Sequence, residues 1–308
     1  MFDIVTIGHF VIDLILSPRI SSPRVTVGGP PSFVSLVASK LGAKPAVVSK
    51  VGKDFHRHVA WLLENNVDLS NLQILDNANT TRFVISYEQG RRKLQLKNET
   101  PQIVLRDIPA SLQTKAIHVA PVATELSLEL VEELRAKASL ISLDPQGFLR
   151  EFDRDGNVRL RKLDDLTFLR HCDILKLSMR ELKAMVGSAK IGASMRKVRG
   201  YGVKTILTTM GGRGVLALID DAFYHVPACK PRVFRDSTGA GDAFAGAFLA
   251  EYLRGDDPLW CCCVGSAAAS FIVEEVGPHG LGEKHEVLGR ARKIYEKGIK
   301  PLPQDAVE

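Results

Sequence analysis

The chain has 308 residues, 45% of them hydrophobic and 25% charged, with a formal net charge of +6; this is the profile of a soluble globular protein with room for one large α/β domain or two smaller ones. The charges are scattered, and the Arg91, Arg92, Lys93 cluster lacks interleaved aromatics, which argues against a nucleic-acid partner and leaves a small anion such as a nucleotide. No apolar run reaches the roughly 18 residues of a membrane span, and Asp3 and Asp13 interrupt the first apolar stretch, which argues against a signal peptide and a membrane partner.

Taken in chain order, short apolar runs alternate with amphipathic ones. FDIVTIG, PAVVSKVG, KAIHVA, SLISLDP, DILKLS and KTILTTMG read as buried strands, and SFVSLVASKLG, FHRHVAWLLENN and LELVEELRAKA read as helices. This βαβα rhythm predicts a three-layer α/β/α fold with a mostly parallel central sheet. Ligands of such sheets bind at the carboxyl ends of the strands. Thr80 to Leu96 (TTRFVISYEQGRRKLQL) breaks the rhythm with two extended runs around a Gln89-Gly90 turn, which predicts a hairpin. A second extended piece, Arg24 to Val27, precedes Gly28-Gly29. Together they suggest a small β lid, from about 14–28 and 80–97, on a single domain spanning 1–308; a plain edge hairpin is the alternative. The five cysteines, Cys172, Cys229 and Cys261 to Cys263, include no Cys-x-x-Cys pair. They read as reduced apolar fillers of an intracellular, cytoplasmic protein.

The most informative segment is Asp236-Ser237-Thr238-Gly239-Ala240-Gly241-Asp242, followed by the helical pattern AFAGAFLAEYL. A glycine-rich turn entering a helix exposes unpaired amides at the positive end of the helix dipole, and glycine lets them approach a charged group closely. That suits a phosphoryl group in transfer, where charge stabilisation dominates. Asp242, in the first turn, is placed to accept the proton of an attacking hydroxyl. Helix capping by Thr238 or Asp236 explains part of the run, but not all of it.

The full D-x-T-G-A-G-D run resembles the signature of the ribokinase/PfkB carbohydrate-kinase family. The resemblance spans nearly the whole chain. It implies a ribokinase-like fold, ATP as donor, and a small polyol or sugar as acceptor. It also implies Asp242 as catalytic base, with Gly239, Ala240 and Gly241 forming the anion hole. Gly8 to Asp13 (GHFVID) resembles the family's G-x-x-x-x-D element, in which the Asp binds substrate hydroxyls; alone, a surface turn explains it. Gly28 and Gly29, before Pro30-Pro31-Ser32, resemble its substrate motif, and a helix start is the plainer reading. Thr209-Met210-Gly211-Gly212-Arg213-Gly214 resembles its nucleotide loop, to which Thr209, Gly211 and Gly214 contribute with Thr238; a glycine hairpin explains the loop equally well. Gly265 to Ala268 fits its adenine-flanking helix, as it fits close helix packing, and makes Ala268 a nucleotide contact.

Two positions depart from that pattern. Where the family carries N-x-x-E, with Glu organising magnesium through waters, this chain has Ser178-Met179-Arg180-Glu181, which is also a capping box. Glu181 is thus a water-mediated magnesium candidate, and the ATP phosphates imply magnesium in any case. A potassium site is implied near Asp236 and the segment around Gly277. Phe33 stands where the family often has a sugar-binding Asn, offering C–H packing instead of amide hydrogen bonds. Gly-Gly-x-x-Ser-Phe, Val48 to Phe55 and Asp144 to Leu160 are similar to the myo-inositol kinase branch, making myo-inositol the expected acceptor. A nucleoside or another sugar is the alternative, and a non-catalytic sugar sensor a more distant one. The G-x-G-x-x-G and G-x-x-x-x-G-K-[ST] patterns of dinucleotide and P-loop sites are absent. A monomer or a homodimer is expected.

Overall fold

The computed structural model of the protein describes residues 1–88, 91–187, 190–303 and 307. The first strands are β1 (Phe2–Ile7), β2 (Val11–Leu16), β3 (Arg24–Gly28), β4 (Pro45–Gly52), β5 (Asp68–Leu75), β6 (Thr81–Glu88), β7 (Arg91–Asn98) and β8 (Thr114–Val119). They are followed by β9 (Ala138–Leu143), β10 (Arg150–Phe152), β11 (Val158–Leu160), β12 (Ile174–Ser178), β13 (Thr205–Thr209), β14 (Val215–Ile219), β15 (Ala222–Val226) and β16 (Pro301–Leu302). The helices are α1 (Pro30–Lys40), α2 (His56–Glu64), α3 (Leu128–Leu134), α4 (Met179–Val186), α5 (Ile191–Arg199), α6 (Ala240–Tyr252), α7 (Pro258–Ile272) and α8 (Lys284–Tyr295).

Among the described residues the main sheet has ten strands, in the order β16-β15-β14-β13-β12-β9-β8-β1-β4-β5. From β13 to β5 every neighbour is parallel, and β14, β15 and β16 extend one edge antiparallel. Successive side chains enter opposite layers, which is why these strands read as unbroken apolar runs. Ile4 belongs to the core layer that α1, α6, α7 and α8 complete, whereas Val5 and Ile7 belong to the opposite layer, completed by α3, α4 and α5. The expected three-layer α/β/α architecture is therefore present. The buried Cys261, Cys262 and Cys263 fill α7 against the sheet, and all five cysteines are free thiols. No helix among the described residues is long and apolar enough to cross a membrane.

A second, four-stranded sheet has the order β3-β2-β6-β7. Its apolar face, formed by Val11, Ile15, Phe83 and Ile85, rests on Val122 and Ala123 of the loop after β8. The hairpin expected over Thr80 to Leu96 is β6 and β7; its Gln89-Gly90 turn lies outside the described residues. Strand β2 starts soon after β1, so Asp13 lies on this small sheet, not in the connecting turn.

Candidate active site

At the start of α6 the backbone leaves donors free. Gly239 caps the helix at φ +78, and a Cβ there would sit 2.2 Å from the Phe33 ring, so the turn needs glycine on both counts. Ala240 N donates to Ser237 O at 3.2 Å, and Ala243 N donates to Gly239 O at 2.8 Å. The amides of Gly241 and Asp242 between them reach no acceptor among the described residues. Two adjacent bare amides at the positive end of a 13-residue helix make an anion site.

Two cavities flank this corner. The first, of about 220 Å³, lies beneath the small sheet. Its polar lining includes Asp13, Arg92, Asp144, Gln146, Arg150, Lys176, Glu181 and Asp242, and its apolar wall consists of Val11, Phe33, Phe83, Ile85, Leu94 and Val122. The second, of about 290 Å³, lies on the other side of the α6 turn. Gly211, Gly212, Gly214, Val215, Ala228, Phe234, Ala240, Phe244, Ala269 and Val273 line it. Thr209, Ser237 and Gly241 line both, so the cavities meet beside the free amides.

The first cavity brings together Asp13, Gly29, Phe33, Glu181, Thr209, Thr238, Gly239, Gly241 and Asp242 of the expected site residues. Gly28 stands behind Asp13; a Cβ there would lie 2.0 Å from Asp13 Oδ2. Gly211, Gly214 and Ala240 line the second cavity, whereas Thr238 faces the first and not the second. Ala268 does not line the second cavity either: it packs in a small cleft with Val37, Leu41, Leu281 and Val287. Ser266, Ala269, Ser270 and Val273, at helical spacing, take the cavity face of that segment. Glu181 Oε2 accepts the Ser178 amide at 2.7 Å, closing the capping box, and its side chain still lines the first cavity.

Sequence reading missed a cluster of charged residues. Lys176 Nζ donates to Asp144 Oδ2 at 2.5 Å, and both residues are buried. A Cβ on Gly241 would lie 2.7 Å from that ammonium, so the cation lies over the glycine of the free-amide corner. Arg150 donates to Val122 O at 2.6 Å and to Gln146 Oε1 at 2.8 Å, while Gln146 Nε2 approaches Asp242 Oδ1 at 3.4 Å. Beneath them Glu125 accepts the amides of His9, Val122 and Ala123 at 3.1, 2.7 and 2.7 Å, fixing the loop that bears the apolar wall. A charge inside the apolar run DILKLS was the signal for Lys176; Arg150 and Gln146 carried none.

These charges perturb one another. Burial pushes Asp13 up to about 7; Arg92 and Arg150 counter it, and Asp236 and Asp242 add to it. Burial also pushes Asp242 up to about 6; Lys176 and Arg150 counter it, and Asp144 and Glu181 add to it. Burial opposes the charge on Lys176, but Asp144, Asp242 and Glu181 together hold its ammonium above the ordinary range. Two carboxylates poised near neutrality beside a buried cation are a pattern typical of acid–base sites.

The chain is similar to known proteins in sequence and fold. The family model for pfkB family carbohydrate kinases matches residues 1–283. A cytidine kinase of Thermococcus kodakarensis is 31% identical over 283 residues, covering 90% of this chain and 98% of that one. A nucleoside kinase of Methanothermobacter thermautotrophicus is 28% identical over 297 residues, with 89% and 90% covered. Among solved structures, a pyrophosphate-dependent kinase in the ribokinase family, complexed with a pyrophosphate analog and myo-inositol, shares the fold. It has a TM-score of 0.80 at 24% identity, with 93% of this chain and 99% of that one covered. The chain belongs to the PfkB family of carbohydrate kinases and is a sugar or nucleoside kinase.

Proposed function

We propose that this enzyme transfers the terminal phosphoryl group of magnesium-bound ATP to a hydroxyl of a nucleoside. The observation that carries the reading is the meeting of the two cavities at Thr209, Ser237 and Gly241, beside the free amides of Gly241 and Asp242. Groups held in the two cavities reach one anion-binding corner, as positioning for phosphoryl transfer requires. The second cavity is walled by Val215, Ala228, Phe244, Ala269 and Val273. That apolar lining suits a purine-bearing donor better than inorganic pyrophosphate, which has no apolar surface to set against it.

The first cavity favours a nucleoside over the myo-inositol expected from Phe33 and the flanking patches. Its apolar wall faces Asp13, Gln146 and Arg150. A nucleoside offers a flat base to the wall and ribose hydroxyls to the carboxylate, whereas a cyclitol, with hydroxyls around its whole ring, has no flat apolar face of that size to set against the wall. The relatives named as cytidine and nucleoside kinases point the same way.

In this reading Asp13 accepts hydrogen bonds from the acceptor's hydroxyls, and Asp242 takes the proton of the attacking one. Gly239, Ala240 and Gly241 surround the migrating phosphoryl, with Lys176 neutralising charge that builds beside them. Thr209, Gly211 and Gly214 approach the donor through their backbone. The small sheet acts as a lid that excludes water, which otherwise competes as nucleophile.

No cluster of three metal-ligating side chains occurs among the described residues. Magnesium in kinase sites is held by one or two carboxylates plus substrate phosphates, and Glu181 fits that mode: one of its oxygens caps α4, and the other accepts no hydrogen bond from the described residues. When bound, the ion neutralises the donor phosphates. Asp236, implied beside potassium, has both oxygens engaged, by Tyr87 Oη at 2.5 Å and Thr238 N at 3.1 Å. No step is routed through that ion.

The test is ADP release with ATP and magnesium over a panel of nucleosides, ribose, hexoses and cyclitols. Preference for a nucleoside supports the proposal. Preference for a cyclitol over every nucleoside would sink it and restore myo-inositol.

A further inference from the structure

We infer that Tyr87 is a positioning residue, which with Arg92 clasps the phosphate-binding turn so that the turn is ordered only while the small sheet is docked. The two residues stand directly opposite each other on β6 and β7. Each grips one end of a three-residue turn. Tyr87 Oη donates to Asp236 Oδ1 at 2.5 Å, and Arg92 Nη2 reaches Thr238 Oγ1 at 3.4 Å. Asp236 Oδ2 closes the turn internally by accepting Thr238 N at 3.1 Å, and the next residue, Gly239, caps α6 at φ +78.

Asp236 is 1% exposed, so its carboxylate depends on donors the protein supplies. Within the turn it has one, the Thr238 amide, and the tyrosine brings a second from a different sheet. Burial and the adjacent Asp236 raise the Tyr87 pKa above its ordinary value, which keeps the hydroxyl protonated as a donor. Arg19 covers the outer side of the clasp, its guanidinium 5.9 Å from the Tyr87 ring centre and 5.0 Å from that of Phe234. Sheet docking and the shape of the helix N-terminus are thereby linked, most directly through the Tyr87 hydroxyl. Tyr87 itself does not line the acceptor cavity.

This inference rests on reading the turn as the phosphate site, so its experiment carries Asp242→Asn as a control. Tyr87→Phe removes only the donor. Loss of one charge-assisted hydrogen bond that acts on the transition state costs roughly 10- to 100-fold in rate. The expected result is that fall in kcat, with the acceptor KM within about twofold of wild type. If the hydroxyl acts through Asp236, adding Tyr87→Phe to Asp236→Ala, which removes the acceptor, costs little more than Asp236→Ala alone. A Tyr87→Phe kcat within about twofold of wild type overturns the inference. So does a rise in KM alone, or penalties that multiply in the double variant. An active Asp242→Asn control instead overturns the phosphate-site reading, and the clasp with it.

Discussion

Asp13→Asn is expected to make the protein more stable and less active, with a stability gain that depends on pH. Asp13 is 4% exposed, and its carboxylate accepts no hydrogen bond from the described residues. Burial first, and then Asp236 and Asp242, push its pKa up to about 7 from the ordinary 3.8. A folded value above the unfolded one means that the native state holds the proton more tightly. The stabilising contribution is therefore complete below the unfolded value and is lost as pH rises through about 7. At about 1.36 kcal/mol per pH unit, an ionised Asp13 costs about 4 kcal/mol at pH 8 relative to a neutral group of the same shape, and under about 2 kcal/mol at pH 5. Asparagine is such a group. Thermal unfolding of the ligand-free variant is expected to show a Tm raised by roughly 5–10 °C at pH 8 and by clearly less at pH 5. Activity moves the other way, because an amide accepts fewer hydroxyl bonds than a carboxylate: kcat/KM for the acceptor falls at least roughly tenfold. A variant no more stable than wild type at pH 8, or with a larger gain at pH 5, would refute the assignment of Asp13 as a strained, unpaired carboxylate.

Two further substitutions probe the rest of the site. Lys176→Met leaves Asp144 buried without its cation, which is expected to cost roughly 3–5 kcal/mol in urea unfolding. Adding Asp144→Leu restores most of that stability but not turnover, and recovered turnover would remove Lys176 from the phosphate corner. Ala269→Trp fills the second cavity and is expected to raise KM for ATP at least roughly tenfold while leaving the acceptor KM within about twofold. An unchanged KM for ATP would place the donor elsewhere.

The βαβα rhythm was legible because parallel strands buried on both faces leave unbroken apolar runs, as in β4, where all eight residues are buried. The phosphate corner was legible because its backbone admits so few residues: Gly239 combines φ +78 with an aromatic ring against its Cα. Lys176 showed only as a charge inside an apolar strand, and its role went unread because the compensating Asp144 lies just past the end of another strand, β9. Gln146, in the loop after β9, and Arg150, the first residue of β10, reach the cavity by a placement that only the tertiary fold determines. The helix phase at Ala267 to Ala269 was illegible because a run of identical small residues carries no amphipathic contrast; the cavity face fell on Ala269. The hairpin of β14 and β15 went unread, although Asp220 and Asp221 take positive φ values of 48 and 64 in its turn.

The patches that resemble the myo-inositol kinase branch contribute Gly29, Phe33, Asp144, Gln146 and Arg150 to the first cavity, and other residues in them serve the fold. Asp54 accepts Thr80 N and Thr80 Oγ1 at 3.0 and 2.6 Å and pairs with Arg82 at 2.6 Å, tying the start of β6 to the end of β4. Asp153 accepts the amides of Asp155 and Asn157, each at 2.9 Å, shaping the turn between β10 and β11. Residues that build loops can be shared by relatives with different substrates.

Turnover of Asp242→Asn tests the phosphate-transfer centre most directly. Wild-type activity is expected to rise with pH through about 6, where the Asp242 carboxyl loses its proton. The asparagine variant is expected to fold and to bind ATP and the acceptor normally, because the one hydrogen bond of the Asp242 side chain among the described residues is a long one, with Gln146 at 3.4 Å, and asparagine keeps its shape. Its kcat is expected to fall by about 10²–10⁴. Turnover at the wild-type level would contradict the placement of the proton acceptor at the start of α6, and with it the meeting of donor and acceptor there.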